Sequence, residues 1–135
     1  MRVMIDTNIL ISAILGSSTP FQAYSKAVSF PNCGIVCTQN LDELRRIFNR
    51  KFPAKISAME RFLAIALPVI EIVRIPDESV EEESLVRDLN DRAILRAAIA
   101  ANVDIVLTGD KDFLESGIEH PRIMTAAEFC AKEAP

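Results

Sequence analysis

Residues 102–113 read NVDIVLTGDKDF. An apolar run from Val103 to Leu107 ends abruptly in Asp110 and Asp112, with only Lys111 between them. A run of this length bounded by turn residues reads as a fully buried strand. The Gly-Asp step is ordinary turn chemistry, so the two acids alone decide nothing. Their meaning depends on where the other acids of the chain fall relative to the end of this strand.

Working outward, DRAILRAAIA at 91–100 has helical spacing: Ile94, Leu95, Ala98 and Ile99 pack, while Arg92 and Arg96 face out. This predicts a helix over 92–101 feeding the strand VDIVL. Upstream, RVMID at 2–6 is a short apolar strand ending in an acid, and residues 20–27 look helical, with Phe21, Tyr24 and Val28 in step. GIVC at 34–37 is a second strand. Thr38 or Asn40 then opens a helix with Leu41, Leu44, Ile47 and Phe48 on its apolar side. Pro53 can start a further helix, since proline suits a first helical turn. VIEIVRI at 69–75 is a third strand closed by Pro76, and RIM at 122–124 a fifth. TAAE at 125–128 is a capping box starting a last helix with Phe129 inside. Strands alternating with helices mean a parallel sheet covered on both faces. The expected fold is α/β, a three-layer α/β/α sandwich in one domain over 1–135.

Composition agrees with a folded core: half of the 135 residues are apolar, a quarter are charged, and tryptophan is absent. The net charge of −4 argues against a nonspecific coater of nucleic acid. PDESVEEES at 76–84 holds five acids and no base, so the rest of the chain is nearly neutral; such a run reads as a solvated loop or helix start. Cys33, Cys37 and Cys130 with the single His120 do not form a zinc set. Unpaired thiols suggest a reducing, cytoplasmic compartment. The uncharged stretch 7–25 is broken by polar residues, Gly16 and Pro20, so neither a membrane span nor a leader is expected.

In a parallel sheet the strands' carboxyl ends and the helices' first turns share one edge, where ligands bind. Asp6 ends the first strand and Asp110 follows the fourth. Glu43 is in the first turn after the second strand, and Asp91 starts the helix before the fourth. Ten helical residues descend about 15 Å, and five strand residues climb back about 16 Å. Asp91 and Asp110 therefore meet at one level, with Asp112 a step beyond. Each acid alone has a plain structural reading. Asp6 and Asp91 have the character of helix caps, Asn40 and Glu43 have capping-box spacing, and Asp110 and Asp112 suit turns. Several carboxylates together raise one another's pKa unless a cation compensates. An all-oxygen set suits Mg²⁺ or Mn²⁺, ions that activate water against phosphodiesters. Thr7, Asn8 and Thr108 are placed to orient carboxylates or waters. Asp42 and Asp88 are neighbouring acids that compete with Glu43 and Asp91 for the site.

These motifs resemble a known family. MIDTNILISA at 4–13, LDELRRIF at 41–48, DRAILRAAIAANVDIVLTGDKDF at 91–113 and GIEHPRIMTAAEF at 117–129 resemble, in order, the motifs of PIN-domain ribonucleases. The resemblance implies a five-stranded parallel sheet and Mg²⁺- or Mn²⁺-dependent cleavage of single-stranded RNA. It puts Asp6, Glu43, Asp91 and Asp110 in the catalytic positions. Asp6, Asp91, Asp110 and the extra acid Asp112 would hold metal. The compact length resembles stand-alone toxins of toxin–antitoxin pairs, which implies a small antitoxin partner and a homodimer or higher homo-oligomer. The basic run RRIFNRKFPAK, with Arg45, Arg46, Arg50, Lys51 and Lys55, begins one turn past Glu43 and is the candidate RNA contact. Three rivals are a PIN-like fold without turnover, a haloacid-dehalogenase-like phosphatase and a receiver-type signalling domain. The phosphatase wants a second aspartate where Asn8 stands. The receiver wants an aspartate ending the third strand, where Arg74, Ile75 and Pro76 stand.

Overall fold

The computed structural model describes residues 1–132; the expected domain limit of 135 includes residues 133–135, which lie outside the described residues. Five strands form one parallel sheet: β1 (Arg2–Ile5), β2 (Cys33–Cys37), β3 (Ile70–Val73), β4 (Ile105–Leu107) and β5 (Arg122–Met124). Their order is β3-β2-β1-β4-β5, and every pairing is parallel. The chain winds outward from β1 in both directions, so the switch in strand order falls between β1 and β4. The carboxyl edge beside that switch is where α/β sheets place ligands. A receiver would carry the order 2-1-3-4-5; here β3 is an edge strand, and Arg74 beyond it is exposed.

The central strands bury both faces, as parallel strands must. Val3, Ile5, Val36, Ile105 and Leu107 point to one layer and Met4, Ile35, Cys37 and Val106 to the other. The first layer is closed by α1 (Thr7–Ile14), α2 (Ser18–Val28), α3 (Thr38–Lys51), α4 (Ile56–Ala66) and α7 (Ala126–Ala131). The second rests on α5 (Leu89–Ala100) and the short α6 (Lys111–Leu114), which inserts Phe113. The α/β sandwich is therefore the one expected, and the capping box at Thr125 is formed. Thr125 Oγ1 accepts from the Glu128 amide at 3.1 Å, and Glu128 Oε1 accepts from the Thr125 amide at 3.0 Å.

Several local expectations need correction. The helix α1, immediately after Asp6, was not read from the sequence: ILISAI carries β-branched residues that suit a strand as well as a helix. The next helix begins at Ser18 rather than Pro20, and Phe21 is exposed while Ala23, Tyr24 and Ala27 face inward. Pro53 opens a 3₁₀ turn, with α4 starting only at Ile56. The third strand is confined to Ile70–Val73, three residues short of Pro76, because an edge position offers one partner only. The fourth is confined to Ile105–Leu107.

The acidic segment is not simply solvated. Glu83 is buried in a 3₁₀ turn (Glu81–Leu85) and pairs with Arg96 at 2.8 Å, so Arg96 does not face freely out. Among the described residues no helix is long and apolar enough to cross a membrane.

Candidate metal centre at the switch point

Asp6 leaves β1 in an extended conformation and caps α1. Its Oδ1 accepts from the Thr7 amide at 2.8 Å, and its Oδ2 accepts from the Thr108 hydroxyl at 2.8 Å. Thr108 Oγ1 in turn accepts from the Asp110 amide at 3.1 Å. The Asn8 side-chain oxygen accepts from the Gly109 amide at 3.0 Å. Asn8 and Thr108 thus tie the end of β1 to the loop after β4, while the Thr7 amide holds Asp6 locally. They set where Asp6 and Asp110 lie relative to each other.

Asp110 caps α6, accepting from the Asp112 and Phe113 amides. Its supposed turn is the start of a helix. Asp88, not Asp91, caps α5: Asp88 Oδ1 accepts from the Asn90 and Asp91 amides at 2.8 and 3.2 Å. The helix therefore begins three residues earlier than its apolar spacing indicates, and Asp91 lies inside its first turn, buried. The capping box of Asn40 and Glu43 does not form, because α3 already starts at Thr38. Asn40 sits inside the helix, its amide donating to the Ile5 carbonyl at 3.4 Å. Glu43 is left half-buried on the helix face that borders the acids.

These placements converge on one pocket of about 200 Å³ at the carboxyl edge, lined by Asp6, Glu43, Asp88, Asp91 and Asp110 among its acids, with Thr7 and Asn8 beside them. One carboxylate oxygen each from Asp88, Asp91 and Asp110 lies within 4.8 Å of the others. Asp112, half-buried in the first turn of α6, does not line the pocket and is not in this trio. Asp42, the rival to Glu43, is exposed and borders a separate groove with Arg46 and Arg74. The rival to Asp91 proves to be its neighbour: Asp88 and Asp91 both enter. Gln39, Asn40 and Asn90 also line the pocket, and the first-turn argument that located Glu43 and Asp91 would have found them.

Electrostatically the pocket is under-compensated. Asp91 is pushed up to about 8, mainly by burial, with the charges of Asp6, Asp110 and Asp88 adding. Asp6 is pushed up to about 6 by burial and by Glu43 and Asp110, although the Thr108 and Thr7 hydrogen bonds pull it down. The Cys37 thiol, buried in the core below the sheet's carboxyl edge with Met4, is held up at about 12 by burial and by Asp6. Asp91 Oδ2 is buried and has no hydrogen-bond partner, and neither has Thr7 Oγ1. A buried carboxylate oxygen without a donor is costly. A hard divalent cation would supply what is missing, and the all-oxygen donor set fits one.

Of the basic residues, Arg46 and Arg50 line a groove that continues from the pocket through Gln39, Glu43, Ile47 and Asn90. Arg45 turns away to pair with Glu60. Lys51, the last residue of α3, and Lys55 are exposed and do not line the groove.

An open parallel α/β sheet carrying a pocket of carboxylates at its switch point defines the class of this molecule. The chain belongs to the PIN domain family, whose model matches residues 2–112 and so includes every acid of the pocket. No curated protein sequence matches the chain at a significant level. Among solved structures, the fold is similar to VapBC2 from Rickettsia felis, crystallised bound to a DNA fragment from its promoter. The TM-score is 0.69 at 20% identity, over 93% of this chain and 98% of that one. It is also similar to VapC20 of Mycobacterium tuberculosis, a Sarcin-Ricin loop cleaving toxin, with a TM-score of 0.60 at 18% identity over 86% and 95% of the two chains. Likeness at these identities is likeness of fold.

Proposed function

We propose that this chain is a Mg²⁺- or Mn²⁺-dependent endoribonuclease acting on single-stranded RNA, in one nuclease domain, and the toxin of a type II toxin–antitoxin pair. The observation that carries the metal-dependent chemistry is the buried Asp91 Oδ2, which has no hydrogen-bond partner, on a residue whose carboxylate is gathered with those of Asp88 and Asp110. The fold likeness to a toxin described as cleaving the Sarcin-Ricin loop supports the choice of substrate. Asp91 and Asp110 would hold the cation, with Asp6, which lines the same pocket outside the close trio, beside them, and Glu43 stands at the rim. Asp112 lies outside the pocket and is left to a supporting role at the α6 start.

A bound divalent ion would make water nucleophilic at neutral pH and offset charge on the reacting phosphate. The chain's own part is positional. Thr108 and the Thr7 amide fix both oxygens of Asp6, and Asn8 fixes the loop that presents Asp110. Arg46 and Arg50 draw the phosphate backbone along α3 toward the acids, so an acidic protein needs only a local basic track. Lys51, at the carboxyl end of α3, adds a positive charge beyond the groove. A small antitoxin protein that covers the pocket, a homodimer and a cytoplasmic setting complete the proposal; the VapBC2 likeness supports the first.

The test is cleavage of a single-stranded RNA pool with Mg²⁺ or Mn²⁺, with EDTA, and with Asp110→Asn. Cleavage that needs the ion and falls at least about 100-fold in the variant is expected, since even residues that only support metal ligands are worth 10–100-fold. Cleavage that survives both the chelator and the substitution would refute the assignment.

A further inference from the structure

The segment from Pro76 to Asp88 links β3 to α5 and has little apolar anchorage. Val86 is fully buried, but Leu85 is 54% exposed, and Leu89 just past it 74%. Polar bonds hold it instead. Arg96, on α5, grips Glu83 through both carboxylate oxygens, at 2.8 and 3.0 Å, and donates to the Pro76 carbonyl at 2.9 Å. Glu83 Oε2 also accepts from the Val80 amide at 2.6 Å. Arg92 donates to the Val86 carbonyl at 2.6 Å. Both ends of the segment and its middle are thereby fastened to the helix that starts at Asp88. Such a forked, charge-assisted grip fixes geometry as well as energy.

We propose that the Glu83–Arg96 ion pair is a positioning clamp that sets Asp88 as an additional carboxylate of the metal site. The proposal rests on the metal-binding reading given above. Asp88 spends Oδ1 on capping α5, yet a carboxylate oxygen of it lies within 4.8 Å of those of Asp91 and Asp110. Asp91, whose Oδ2 is buried and unpartnered, lines the same pocket as Asp88. Arg96 is eight residues along the helix from Asp88, about 12 Å at 1.5 Å per residue. The charges of Glu83 and Arg96 are matched at 2.8 Å, so the clamp acts through the path of the chain rather than through a net charge. It converts an acidic, weakly packed strap into a fixed support for one ligand.

The test is Mn²⁺ binding to the full chain, read from loss of the free-ion electron paramagnetic resonance signal. It compares wild type, Asp88→Asn, Glu83→Gln and the double variant, with circular dichroism to verify folding at the assay temperature. Asp88→Asn and Glu83→Gln are each expected to weaken Mn²⁺ binding about 10–100-fold. The double variant is expected to bind no more weakly than Asp88→Asn, because a clamp that works through Asp88 has nothing left to position. Arg96→Lys, which keeps the charge but loses the fork, should reproduce the loss and stands in if Glu83→Gln does not fold. Two outcomes overturn the proposal alone: wild-type affinity in Asp88→Asn, or a Glu83→Gln effect that adds in full to it. Wild-type protein that takes up no Mn²⁺ overturns the metal reading as well.

Discussion

Asp91 is the residue on which the electrostatics of the molecule turn. Its folded pKa of about 8, and that of Asp6 at about 6, lie well above an ordinary carboxylate. Without a cation, the folded state holds protons that the unfolded chain has released. This contribution to stability is complete below about pH 4 and is lost as pH rises through about 6 and then about 8. Glu71, Glu83 and Glu128 are shifted down, chiefly by their hydrogen bonds to Arg2, Arg96 and Thr125. Their contribution is present above about pH 4.5 and lost on acidification. Thermal melts in EDTA should therefore peak in mildly acid buffer and fall toward pH 9, and Asp91→Asn should flatten that fall. A melting temperature that rises between pH 6 and pH 9 would contradict the burial of these two acids. The sequence placed Asp91 at the right edge, and the helix cap that was its plain structural alternative is Asp88 instead. Asp88 and Asp91 both have the chemistry of an N-cap, and only the path of the preceding segment decides between them. That path depends on Arg92 and Arg96 reaching back along the helix, a pairing that no local pattern displays.

At the scale of elements, α3 explains how an acidic protein would meet RNA. Leu44 and Phe48 are fully buried and fix the rotation of the helix. Glu43, Arg46, Ile47 and Arg50 then fall on one side, at the three- and four-residue spacing of helix neighbours, and line the groove beside the acids. The side taken by Glu43 could be read from the spacing of Leu44 and Phe48, but Ile47, expected on the apolar side, lines the groove instead. The division of the basic run could not be read, because it depends on Glu60 of α4 claiming Arg45. Replacing Arg46 and Arg50 together by glutamate should raise KM for RNA about tenfold or more and lower the salt dependence of binding, with a much smaller change in kcat. An unchanged KM would remove α3 as the track. The elements missed from the sequence, α1 and α6, are short helices started by the site's own aspartates. Their stability comes from capping and from the tertiary burial of Ile9, Leu10 and Phe113 rather than from propensity.

Across the whole molecule, the outcome follows from a sheet that winds outward from its first strand. That order brings the ends of β1 and β4 side by side, and the helices between strands return their first turns to the same edge. Acids separated by up to about a hundred positions in the chain thereby share one pocket, and the meeting of Asp91 and Asp110 at one edge was legible in advance, although α5 has twelve residues rather than ten and β4 three rather than five. The strap over Pro76–Asp88 was not, because its charge run reads as solvated surface until Glu83 is seen buried. The central claim is that these carboxylates are gathered to hold a divalent ion. Anomalous diffraction from crystals of the protein soaked in Mn²⁺ tests it most directly. The account predicts a peak about 2.0–2.2 Å from carboxylate oxygens of Asp91 and Asp110. An empty pocket at millimolar Mn²⁺, or a peak confined to some other part of the surface, would contradict it.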